Sequence, residues 1–73
     1  MIRDLVWYIK CQDFDYSVAE LERLGLQGIC EEYRIEYKDL NEQEKNALWQ
    51  ELIELAEEVE FKRYFEKEYS ELD

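Results

Sequence analysis

The chain has no histidine, no proline, two glycines, two cysteines and only nine basic residues against 20 acidic ones. Each scarcity excludes something. Without histidine the usual general base near neutral pH is missing, and Ser17 and Ser70 have no evident activating partner. A carboxylate-bridged metal centre in a helical bundle needs Glu-x-x-His pairs, which the same absence removes. Glutamate pairs can hydrolyse a glycoside only by flanking a groove, and 73 residues hardly enclose one. We therefore expect a protein that is not an enzyme, with no cofactor and no metal.

The shortage of bases leaves a net charge of −11. That excludes ordinary binding to nucleic acid or an anionic membrane, because both need a basic footprint. A partner of this chain is expected to be a basic protein. No run approaches the roughly 18 apolar residues of a membrane span, and Met1-Ile2-Arg3-Asp4 lacks the basic segment and apolar run of a signal peptide. A cytoplasmic location is expected. Cys11 and Cys30 are too far apart for a CxxC motif, and a single pair without a secretion signal reads as two buried, reduced thiols.

What is present is apolar enough to fold. With 47% hydrophobic and 15% aromatic residues, the chain is expected to form a single domain over residues 1–73 that buries about 60–65% of its unfolded surface in one small core. Its organising stretch runs from Asn41 to about Leu72. Asn41-Glu42-Gln43-Glu44 is a capping box, so a long helix starts there. Leu48, Leu52, Leu55 and Val59 recur at helical spacing, widened by Trp49, Ile53 and Ala56, while Glu51, Glu54, Glu57 and Glu58 fall opposite. A second capping box, Ser17-Val18-Ala19-Glu20, opens a short helix over Ser17 to Leu24, and Gly25 follows where a left-handed residue is wanted.

Two segments are ambiguous. Ile2, Leu5, Val6 and Ile9 fit a helical face, but the run from Asp4 to Ile9 also favours a strand. Between Gly28 and Leu40, Ile29, Cys30, Tyr33, Tyr37 and Leu40 make a helical stripe, whereas Tyr33, Ile35 and Tyr37 alternate as a strand would. Helices in both give an all-α fold, a compact small helical bundle with a long acidic C-terminal helix. Strands in both give a small β-α-β-α unit of the α+β class. The lack of proline and of any hairpin turn signal favours the bundle.

The pattern shifts near Glu60. Phe61, Tyr64, Phe65, Tyr69 and Leu72 cluster nearly opposite the face that Leu48 to Val59 define. A break would need a proline, a glycine or a bulge behind it, and neither proline nor glycine follows Gly28. Continuity is expected, with the second stripe docked on a second copy of the chain or on a partner. The helix would reach roughly 45 Å over residues 42–72 at about 1.5 Å per residue.

Two motifs come close and fail. Asp13-Phe14-Asp15-Tyr16-Ser17 opens like a calcium loop, but the required glycine falls on Val18 and the bidentate glutamate on Leu24. A turn into a capped helix is the better reading. Ser17 to Leu24, Gly25 and a following helix outline a helix-turn-helix, yet the recognition segment, Gln27 to Arg34, carries two acids and one base.

The remaining candidate is a surface. Glu51, Glu54, Glu57, Glu58 and Glu68 would steer a basic partner, with Phe61, Phe65 and Tyr69 as buried anchors. At the level of class, a short, acidic domain with exposed aromatics resembles the phage- and plasmid-encoded inhibitors that mimic nucleic acid. That resemblance rests on size and charge and implies anti-restriction or anti-CRISPR activity against a basic groove, without direct nucleic-acid binding. The alternative is a small helical homodimer serving as an adaptor or antitoxin-like partner, in which the acids only keep the domain soluble.

Overall fold

The computed structural model describes the backbone of residues 2–72 and the side chains of residues 2–66. Its described residues form α1 (Ile2–Cys11), α2 (Val18–Glu32), a 3-10 turn (Tyr37–Asp39) and α3 (Glu42–Leu72), with no strand among them. The fold is all-α. Both α1 and α2 pack on α3, whose fully buried Leu48, Leu52 and Ala56 form the spine of the core together with Ile9, Leu21, Ile29 and Cys30.

The first ambiguous segment is helical. In α1, Ile9 is fully buried and Ile2, Leu5 and Val6 are half-buried against the core, which is the expected stripe. The helix closes as the Gln12 N–H donates to the Ile9 carbonyl at 3.1 Å, and Asp13 turns the chain away at φ 58. Both cysteines are free thiols, but only Cys30 is buried; that burial pushes its thiol up. Cys11 is exposed, contrary to expectation, because it lies about 200° round α1 from Ile9 and so off the buried stripe.

At the start of α2, Ser17 Oγ accepts from the Glu20 N–H at 3.2 Å while the Ser17 N–H donates to Glu20 Oε1 at 3.0 Å. The reciprocal pair satisfies two donors that the first turn leaves open. Gly25 then interrupts the helix at φ 74, ψ 168, a conformation essentially restricted to glycine. The break decides the packing of the second arm. In an unbroken helix Cys30 would point about 180° away from Leu21, at about 100° per residue. Yet Leu21, Ile29 and Cys30 are all fully buried in one core, so the turn at Gly25 swings the last two inward.

Gly25→Ala is therefore expected to cost about 1–3 kcal/mol of unfolding free energy. No atom lies within 4 Å of the new Cβ, so the penalty is in the backbone alone. Alanine would favour straightening by about 1 kcal/mol, but a straight helix takes Cys30 out of the core. A urea midpoint equal to that of the parent chain would refute this account of the break.

The second ambiguous segment follows neither period throughout. The helix stops at Glu32, and a Schellman pair closes it: the Arg34 N–H donates to the Glu31 carbonyl at 3.2 Å and the Ile35 N–H to the Cys30 carbonyl at 2.7 Å. Arg34 takes the left-handed position at φ 58, which costs a non-glycine residue about 1–2 kcal/mol. Burial of the next residues offsets that strain. Tyr33, Ile35 and Tyr37 pack against the core and Leu40 is buried in it, so apolar positions of both predicted patterns are inward although neither a continuous helix nor a strand carries them.

The start of α3 matches its predicted cap. Asn41 Oδ1 accepts from the Glu44 N–H at 2.8 Å, and the Asn41 N–H donates to Glu44 Oε1 at 3.0 Å. One turn on, Lys45 pairs with Glu42 at 3.6 Å and sits 4.4 Å above the ring of Tyr37, tying the 3-10 turn to the helix. The helix passes Glu60 without interruption, and no kink is present. Among the described residues no helix is long and apolar enough to cross a membrane.

Candidate partner-binding surface

The roll of α3 beyond the core is set by two of its side chains. Arg63 donates from Nη1 to Glu20 Oε1 at 3.1 Å and from Nη2 to the Asp15 carbonyl at 2.8 Å and to Asp15 Oδ1 at 3.2 Å. Glu60 Oε1 accepts from the Val18 N–H at 3.4 Å. Together they staple the helix to the entrance of α2, where a carboxylate also complements the positive end of the helix. The Ser17 N–H, and then Arg63, holds the Glu20 carboxyl below its ordinary value, while the hydrogen bonds to Glu20 and then Asp15 push the Arg63 guanidinium up. Asp15 and Ser17 are thus occupied in the turn and the cap.

With Arg63 facing α2, Phe61 and Phe65 are carried about 160° and 200° round the helix from it. Both are exposed, at 65% and 45%, and their rings meet edge to face at 4.8 Å. Tyr64 extends the cluster, 60% exposed and 6.3 Å from the Phe65 ring. Exposed aromatics grouped in this way make the face a candidate interaction site.

Glu51, Glu54, Glu57 and Glu58 are all exposed on the outer side of α3, and none makes an ion pair among the described residues. Glu58 joins two features. It lines an open apolar step of about 590 Å³ with Glu57, Lys62, Phe61 and Phe65. It also lines a groove of about 320 Å³ between α1 and α3, with Glu51, Glu54 and Leu55 on one wall and Arg3, Trp7 and Lys10 on the other. The two cations temper the negative field on the α1 side. Trp7 belongs to the surface although the sequence reading did not select it: it is 67% exposed. Its position about 150° from the centre of the α1 stripe was the available signal. Of the remaining candidates, the Glu68 and Tyr69 side chains lie outside the described residues.

The second arm of α2, the would-be recognition helix, exposes Gln27, Glu31 and Glu32 and presents acid rather than base. Fold and surface together define a class: a small all-α domain whose outer helix carries exposed carboxylates next to exposed aromatics. No protein-family model matches the chain, and neither does any curated protein or solved structure.

Proposed function

We propose that this chain is a non-catalytic inhibitor that mimics nucleic acid and occupies the basic groove of a nucleic-acid-binding enzyme, of the anti-restriction or anti-CRISPR type. The observation that supports this reading best is the row Glu51, Glu54 and Glu58, exposed and without ion pairs among the described residues, leading into Phe61 and Phe65 on one straight helix. Successive carboxylates in that row rise by about 4.5 and 6 Å at about 1.5 Å per residue. A basic channel built for a phosphate strand meets charges of the right sign in a line, and the aromatics provide the desolvated contacts that carry affinity.

The experiment is a tagged pull-down from host lysate, nuclease-treated and run at about 50 mM and about 500 mM salt, since the screening length of charge steering falls from about 14 Å to about 4 Å across that range. A nucleic-acid enzyme held at low salt and released at high salt is the expected result. Retention that ignores salt removes the electrostatic part of the proposal. The exposed Phe61 and Phe65 pair also favours a second reading, a small homodimeric adaptor or antitoxin-like partner. Recovery of the chain alone, with a dimer mass in sedimentation, selects that reading.

A further inference from the structure

A different part of the molecule holds a recess that the α3 surface does not share. It is open, about 640 Å³, and lies where the end of α1, the following turn and the end of α2 meet; Tyr8, Tyr16 and Tyr33 line it with Asp13 and Glu32. Three features mark it out. Tyr16 and Tyr33 present half-buried rings whose hydroxyls stay open to solvent, since no side-chain oxygen among the described residues is buried without a partner. Asp13 and Glu32 form no ion pair among those residues. Arg34 reaches the rim but is exposed and likewise makes no ion pair there, so the chain's own guanidinium does not fill the space.

We infer that this recess binds one organic cation, the guanidinium of an arginine on a partner polypeptide, between the tyrosine rings and the carboxylates. Aromatic faces attract cations, arginine most often, and a planar guanidinium stacks on a ring while donating to carboxylates and hydroxyls at its edge. Burial first, then the neighbouring Tyr16 and Glu32, pushes the Tyr33 hydroxyl up to about 12, so it stays neutral beside the carboxylates. The turn that shapes the recess is held from behind by Arg63 on Asp15, which keeps Asp15 engaged and leaves Asp13 and Glu32 for a ligand. The site is independent of the proposed function of the α3 surface.

The test is a titration of the full chain with blocked arginine, lysine and citrulline dipeptides, read by NMR at the tyrosine rings. Arginine is expected to give saturable shifts at Tyr8, Tyr16 and Tyr33, with affinity about 10-fold or more above citrulline, the neutral isostere. Equal shifts with citrulline, affinity for lysine equal to that for arginine, or shifts elsewhere on the molecule overturn the inference. Tyr33→Leu should lose most of the binding. Because that substitution also touches the core, the rim variants Tyr8→Ala and Asp13→Asn are titrated beside it, each expected to weaken arginine binding about 3-fold or more; unchanged binding in both overturns the site. If Arg34→Gln by itself moves the Tyr16 and Tyr33 rings as the arginine peptide does, the chain's own side chain is the occupant and the inference fails.

Discussion

Replacing Leu52 with alanine is expected to lower the unfolding free energy by about 2–5 kcal/mol, the range for truncating a fully buried leucine. Leu52 has no exposed surface and lies midway along the buried row of α3, between Leu48 and Ala56. Both shorter helices pack on α3, so a cavity there loosens α1 and α2 together. A domain of this length has about 4–11 kcal/mol of stability at about 0.05–0.15 kcal/mol per residue, and the substitution removes a large share of it. Urea denaturation followed by circular dichroism measures the loss. Leu24→Ala is the control: Leu24 is 40% exposed, and its truncation should cost well under half as much. Equal costs at the two sites would mean that the core is not where we place it.

Glu54→Lys with Glu58→Lys is expected to abolish partner inhibition, weakening binding on the order of 100-fold, because like charges set against a basic groove cost several kcal/mol. Each substitution adds two positive units, so the pair moves the net charge from −11 to −7. Both residues are exposed, and neither contributes an ion pair among the described residues to the fold. Proximity to Arg3 and Lys10 across the groove adds a local repulsion of a few tenths of a kcal/mol, too little to melt α3. Helix content should therefore stay at the parent value while inhibition disappears. Inhibition that survives the double reversal, at unchanged helicity, would rule out a role for this row of acids.

The parts of the fold legible in the sequence are those decided within a few residues. The two capping boxes, the break at Gly25 and the uninterrupted passage of α3 through Glu60 all depend on hydrogen bonds or backbone preferences spanning four residues or fewer. The segment after Gly28 resisted because its two periods share Tyr33 and Tyr37. Tyr33 and Tyr37 face inward under either, Ile35 only as a strand, and the choice fell to a Schellman closure paired with burial of Ile35. The candidate surface was legible in the same way, since Phe61 and Phe65 were selected by their angle on one helix.

The sequence by itself determined the capped starts of α2 and α3, a preference for an all-α fold, the acidity of the outer face and the lack of histidine chemistry, because composition and short-range contacts do not depend on what lies across the fold. Tertiary structure alone decided the rest. Arg63 reaches Asp15 and Glu20 across separations of 48 and 43 residues, Trp7 and the cations of α1 come to stand beside Glu54 and Glu58, and three tyrosines from separate elements converge on one recess. These pairings follow from how α1 and α2 seat on α3, a matter of matching buried shapes that no local pattern encodes.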